Sequence, residues 1–304
     1  MKWRIPAKTF LLGEYAAIAE ASAIILTTTP YFELSLTPQE ELIGIHPESP
    51  AGRWWKQAQC GNKGLSWHDP YRGQGGLGAS SAQFLASYLA SCSLKNKTPC
   101  VTDMLEAYYS SSWSGTGLRP SGYDVIAQSQ QGCVYINKQK KIIQSYPWNF
   151  ADLSFVLVHT GMKLATHHHL QVTTLPSQTN HLSAIVDEAQ HALTQNNSEQ
   201  LINTINCYHQ KLNELNLVAP HSLELINALK KHSEVLAIKG CGALGADVIL
   251  ILTSRYDMLS LKEKLVAQNR IILATEADLT NTLIRPLIKI EKSLELNQPD
   301  YLKK

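Results

Sequence analysis

Residues 73–84 read GQGGLGASSAQF, and the reading of this stretch decides the fold. Gly73, Gly75, Gly76 and Gly78 carry no Cβ, so the backbone there takes positive φ without strain and lets another group come close. Ala79, Ser80, Ser81 and Ala82 follow. Phe84, Leu85, Tyr88, Leu89 and Cys92 then repeat at the spacing of one helical face. The first N–H groups of a helix have no partners inside it, and the helix dipole favours negative charge there. A glycine run ending on a serine-rich helix start therefore suits phosphate. Read alone, the stretch fits equally a flexible loop capped by Ser80 or Ser81. It is not a Walker A loop, because no Gly-Lys-Ser/Thr follows the glycines.

The chain has 304 residues, enough for a large core and two domains. Its 44% hydrophobic and 17% charged residues are those of an ordinary globular protein. A net charge of +2, spread along the chain, gives no basic patch of the kind nucleic-acid binders display. The lysines at 138–141 and Lys303–Lys304 read as solvated turn or tail charges. No apolar run reaches the roughly 20 residues of a membrane helix, and MKWRIPAKTF has no signal-peptide core. Six cysteines without C-x-x-C spacing read as reduced, mostly buried thiols of a cytoplasmic protein.

The first third reads as β-rich, with strands at Lys2–Pro6, Ile24–Thr28 and Tyr31–Leu36, the last two separated by Pro30. Helices are expected from near Ser80, over Thr102–Ser110 and after Asp124, followed by a hairpin of Val134–Asn137 and Lys141–Tyr146. Pro147 and Asn149 mark a boundary near residue 150, giving an amino-terminal domain over 1–150 and a carboxyl-terminal one over 151–304. In the second, a strand at Ser154–His159 precedes helices near 178–195, 198–215 and 221–232. Strand Val235–Ile238, a glycine loop, strand Val248–Thr253, helix Leu259–Ala267 and strand Ile271–Ala274 complete a split β-α-β pattern of ferredoxin-like type.

Four segments carry candidate chemistry. In PAKTFLLGEY (6–15), Lys8 sits just beyond the first expected strand, where a lone lysine is ordinarily a surface charge. The glycine–serine stretch is the second. In RPSGYDVIAQ (119–128), Asp124 precedes an apolar turn, so its plain reading is a helix N-cap. In KGCGALGADVILIL (239–252), the glycines fit a tight turn between strands, although a turn alone rarely needs three in six residues.

Together these segments resemble the signature motifs of the GHMP kinases, a family that includes galactokinase, homoserine kinase, mevalonate kinase and phosphomevalonate kinase. PAKTFLLGEY resembles the family's opening P-x-K-x-x-L-x-G-E, GGLGASSA its G-L-G-S-S-A phosphate loop, and KGCGALGAD its third, glycine-rich motif. RPSGYDV is similar to the segment carrying the family's aspartate. The resemblance runs from residue 6 to at least 253. It implies an α+β, two-domain GHMP kinase fold, with a β-rich amino-terminal domain and a ferredoxin-like carboxyl-terminal one. Gly13-Glu14-Tyr15 and Asp247 resemble the phosphomevalonate kinase form. At the position of the family's metal-binding glutamate stands Trp113. Leu244 and Ala246 replace usual glycines, and Cys241 replaces a usual serine or threonine.

The resemblance also implies roles. ATP is the expected nucleotide, held by Gly75, Gly76, Leu77, Gly78, Ala79, Ser80 and Ser81, with Mg²⁺ on the Ser80 hydroxyl. Lys8 and Asp124 are the expected catalytic pair. Substrate contacts are expected from Glu14, Tyr15, Ser121, Gly122, Lys163, Thr166, Gly242 and Ala243. A Cβ at Gly78 is expected to intrude on the phosphate path. His167–His169 read as solvated loop residues rather than metal ligands, since adjacent residues do not converge on one ion. The acceptor is expected to be phosphomevalonate, with mevalonate as the close alternative; a diphosphomevalonate decarboxylase and a non-catalytic nucleotide sensor are the rivals. The partner is then a small-molecule phosphoryl acceptor, with neither nucleic acid nor membrane involved, and there is room for a homodimer.

Overall fold

A computed structural model describes residues 1–161, 179–282 and 286–290. Its first sheet is built around one long strand, β2 (Ala23–Thr37). Strand β1 (Lys2–Leu12) runs antiparallel along one edge of β2. Along the other edge, β4 (Gly64–His68) pairs with the carboxyl-terminal half of β2, and β5 (Cys133–Asn137) with its amino-terminal half. The short β3 (Leu42–Ile43) and the hairpin strand β6 (Ile142–Tyr146) complete the sheet.

Pro30 does not divide two strands as the sequence suggests. β2 runs through it, and the register against β1 shifts there, from Ile5 opposite Phe32 to Ala7 opposite Thr28. The extra residues on β2 form a bulge that contains the proline, so no ladder bond needs the N–H that proline lacks. β1 likewise continues to Leu12, past the expected end at Pro6, and from Ile5 onward it is buried.

Against this sheet pack α2 (Ala79–Leu94) and α4 (Tyr123–Ser129), with α1 (Pro50–Ala58) and α3 (Val101–Ser112) beside α2. Almost every residue of α2 from Ser81 to Cys92 is buried. A helix apolar all round belongs inside the fold.

The second sheet has the order β10–β7–β9–β8 and is antiparallel throughout, with β7 (Leu153–His159), β8 (Ala237–Cys241), β9 (Val248–Ser254) and β10 (Ile272–Thr275). Numbered within this half, that order is 4-1-3-2, the pairing expected of a ferredoxin-like unit. Helices α5 (Thr179–Gln195), α6 (Ser198–Glu214) and α7 (Pro220–Leu229) connect β7 to β8, and α8 (Met258–Ala267) connects β9 to β10. None of the described helices is long and apolar enough to cross a membrane. All six cysteines are free thiols.

Polar contacts join the first sheet to α5. The Ser22 hydroxyl accepts a hydrogen bond from the Asn137 amide (2.8 Å) and donates to Asp187 on α5, which also accepts from the Tyr135 hydroxyl at 2.8 Å. Nearby on α6, burial first, and then the charges of Lys239 and Lys230, lower the pKa of His209 to about 4. An imidazole in the unfolded chain titrates near pH 6.5. Between these values the unfolded state binds more protons, so stability falls as pH drops through that window. His209→Gln is expected to lose less stability than the parent between about pH 7 and about pH 4.5. Equal shifts of the urea midpoint in both proteins would contradict this.

Candidate active site

The glycine-rich loop ends at Gly78, which takes φ 77° and is itself the N-cap of α2, with no side-chain cap. This removes the reading in which Ser80 or Ser81 caps the helix. Ser81 is buried and donates its hydroxyl to the Gly78 carbonyl at 2.9 Å, whereas Ser80 is exposed. The N–H groups of Ala79, Ser80 and Ser81 thus point out of an uncapped helix start, the arrangement that holds an anion.

Lys8 lies in mid-strand, not beyond a strand end. Its backbone N–H donates to the Leu77 carbonyl at 3.0 Å, which ties β1 to the glycine loop. Its side chain, 10% exposed, passes Gly78 and places Nζ 2.8 Å from Asp124 Oδ1 and 4.7 Å from the centre of the Phe10 ring. A Cβ at Gly78 would lie 2.7 Å from Lys8 Cγ and 3.0 Å from both Lys8 Cε and Gln128 Nε2. Within the protein itself, a side chain at Gly78 would thus clash first with Lys8. Gly78→Val is expected to cost about 1–3 kcal/mol through overpacking, with added strain from the positive φ. Thermal melts check it; an unchanged melting temperature would contradict it.

Asp124 is not an N-cap. Gly122, at φ 77°, holds that position, and Asp124 stands in the first turn of α4 with its side chain 35% exposed. The half-buried phenol of Tyr108 is pushed upward chiefly by desolvation and secondarily by the Asp124 charge. One turn along α4, the fully buried Gln128 donates to the carbonyls of Pro6 (2.9 Å) and Gly78 (3.1 Å). One side chain thus joins β1, the glycine loop and α4. Gln128 had no place in the sequence reading; its spacing of four from Asp124, which puts both on one helix face, was the available signal.

The loop before Asp124 is clamped by a residue that the sequence reading placed in solvent. Lys138, 17% exposed, donates to Glu20 Oε1 (2.6 Å), the Tyr109 hydroxyl (2.9 Å) and the Ser121 carbonyl (3.2 Å). Arg119 reaches the same Glu20 oxygen at 2.8 Å. These bonds, led by Lys138, hold the Glu20 pKa below the usual carboxylate value. Gly122 takes φ 77°, where a side chain is strained, and a Cβ there would also displace the tip of Leu105, 2.6 Å away.

From the second sheet, the 239–247 segment closes on the same loop. A Cβ at Gly76 would meet Val248 Cγ2 at 2.6 Å and Asp247 Cβ at 2.7 Å. The two glycine-rich stretches therefore abut.

No protein-family model and no curated protein sequence matches the chain. Solved structures do. The Methanococcus jannaschii mevalonate kinase superposes with a TM-score of 0.71 at 15% identity, over 92% of this chain and 98% of that one. The Streptococcus pneumoniae phosphomevalonate kinase, in complex with phosphomevalonate and AMPPNP, gives 0.73 at 15% identity over 90% and 99%. The Lactococcus lactis galactokinase, complexed with galactose, gives 0.68 at 11% identity over 89% and 92%. The chain has the GHMP kinase fold.

On that GHMP kinase fold the residues expected from sequence fall into three groups. Lys8, Asp124 and the 75–81 loop come together, with Ser121 and Gly122 in the turn that carries Asp124. Glu14, Tyr15 and the third glycine loop form a second group. Glu14 Oε1 is 2.6 Å from Lys239 Nζ, and the Tyr15 hydroxyl accepts the Leu244 N–H at 2.9 Å. Burial pushes the Glu14 carboxyl up, with the Lys239 charge as the largest opposing influence. Gly242, at φ 84°, borders open space, and Ala243 lies beside it in a short 3-10 turn. Lys163, Thr166 and His167–His169 lie outside the described residues. Among the described residues, no group of three or more His, Cys, Asp or Glu side chains is placed to hold a metal ion.

Proposed function

We propose that the chain is an ATP-dependent phosphotransferase of the GHMP kinase family that phosphorylates a small molecule. The observation that carries this reading is the Lys8–Asp124 pair, 2.8 Å apart and anchored at the uncapped start of α2. A protein that merely held an anion would need the helix start alone. The ammonium and carboxylate beside it are what phosphoryl transfer adds, because that reaction depends on positioning and charge neutralisation.

In this reading the N–H groups from Gly76 to Ser81 wrap the nucleotide phosphates. An oxygen of the acceptor attacks the γ-phosphorus, the bond to the β-phosphate oxygen breaks, and ADP leaves. Asp124 takes the proton when the attacking group is a hydroxyl, and Lys8 neutralises charge on the group in transit. For an acceptor that is already a phosphate monoester, little deprotonation is needed and Lys8 carries more of the effect.

The donor set fits Mg²⁺. The exposed Ser80 hydroxyl offers a hard oxygen at the helix start, and this ion keeps several waters and binds substrate phosphates readily. When bound, the ion would neutralise phosphate charge. Trp113 terminates α3 and directs its indole N–H to the Thr116 carbonyl at 3.0 Å, so it adds no ligand.

The acceptor we favour is phosphomevalonate, giving the diphosphate, with mevalonate second. The Gly13-Glu14-Tyr15 and Asp247 signatures support it; the likeness to kinases of both substrates fits either acceptor. An assay of acceptor-dependent ADP release with each compound tests it. Release with phosphomevalonate and not with mevalonate is expected. The reverse would move the assignment to mevalonate, and release of carbon dioxide from the diphosphate would move it to a decarboxylase.

A further inference from the structure

We infer that Glu14, Tyr15 and Lys239 are positioning residues that set the third glycine-rich loop against the phosphate loop. The inference rests on the phosphotransferase reading and deepens it: these side chains act on the nucleotide seat through backbone, without touching nucleotide or acceptor.

A series of contacts links them. Glu14, just past the end of β1, pairs with Lys239 on β8 across 225 residues of sequence, and their side chains are 4% and 0% exposed. A pair so buried is weak evidence for stability, since apolar residues of like volume hold two elements together as well. What an ion pair adds is one fixed register between them. The adjacent Tyr15 accepts the Leu244 N–H at 2.9 Å, while the Leu244 carbonyl accepts the Ala219 N–H at 2.8 Å. Leu244 stands at φ 55°, a conformation that leucine rarely adopts and keeps only when its surroundings impose it. Here both of its backbone groups are gripped. Gly240 and Gly245 then touch backbone to backbone: a Cβ on Gly240 would lie 2.6 Å from Gly245 Cα. The loop is thereby folded back on β8, which delivers Asp247 and Val248 against Gly76. Gly76 is the last link, and it opens the run of N–H groups assigned to phosphate.

A shift at Glu14–Lys239 or at Tyr15 should therefore reach Gly76. Its signature is weaker nucleotide binding with nearly unchanged chemistry, because Lys8 is held by its own bond to the Leu77 carbonyl and by its ion pair with Asp124 on α4.

The test uses two variants of the full chain. Tyr15→Phe removes one hydroxyl, and the double variant Glu14→Gln/Lys239→Met removes both charges so that neither is left buried alone. Amide exchange of Leu244 is followed without nucleotide, ATP affinity by titration, and kcat and KM for ATP by assay. Expected in both variants are exchange at Leu244 about tenfold faster or more, ATP affinity and KM weakened about tenfold, and kcat at saturating ATP within about threefold of the parent. A merely structural role would lower the melting temperature and leave ATP affinity at 25 °C in place. Faster exchange with unchanged ATP affinity would overturn the inference, and so would no change in either. A parent protein that binds no ATP would overturn the reading beneath it, an outcome kept distinct because the exchange measurement needs no nucleotide.

Discussion

Asp124→Asn is expected to fold like the parent and to lose about 10²–10⁴-fold in turnover, the usual worth of general-base assistance. The fold should survive because Asp124 is partly exposed and Gly122, not Asp124, starts α4. Asparagine keeps the shape and leaves an amide oxygen for Lys8. What is lost is the charge that accepts the acceptor's proton and holds the ammonium in line. Turnover at saturating ATP and acceptor, measured beside a melting curve, is the check. Near-normal turnover would remove Asp124 from the chemistry. A loss confined to the acceptor's KM would make it a binding group only.

Lys8→Met should show the second large effect, about 10²–10³-fold in kcat, comparable to removing one preorganised donor from a developing negative charge. Methionine fills most of the space of the lysine stem beside Gly78 and Phe10, so packing is retained while the ammonium goes. The Asp124 carboxylate then loses its partner in a setting open enough to water to tolerate it. Folding and ATP affinity close to the parent's, with turnover collapsed, are expected. An unfolded protein by circular dichroism would mean that the pair serves the fold first.

What sequence revealed of this molecule depended on how local the cause was. The turn at Gly76 and Gly78, the start of α2 and the alternation of strands and helices after residue 150 are set by neighbours in the chain, and they were legible. So was the order of the four motif segments. The region 38–72 was not. There α1, β3 and β4 are only nine, two and five residues long, too brief for a periodicity to stand out, although Ser49 caps α1 by accepting the Gly52 N–H.

At the site, distance in sequence was the obstacle. Lys8 looked like a surface charge because nothing local shows that Asp124 lies across from it. Lys138 looked solvated because its acceptors come from Glu20, Tyr109 and Ser121. For Glu14 and Tyr15 the motif alone does not show that Lys239 and Leu244 face them. Pro30 misled for the opposite reason: a local rule about proline in strands was overridden by a bulge in β2 itself, which takes the proline out of the ladder with β1.

The central claim is that one crevice holds an anion between the start of α2 and the Lys8–Asp124 pair. A crystal structure with a non-hydrolysable ATP analogue tests it most directly. The account predicts the phosphates on the N–H groups of Gly76–Ser81, with the terminal phosphoryl group within hydrogen-bonding reach of Lys8 Nζ. A nucleotide bound elsewhere, or turned so that its base occupies the helix start, would contradict it.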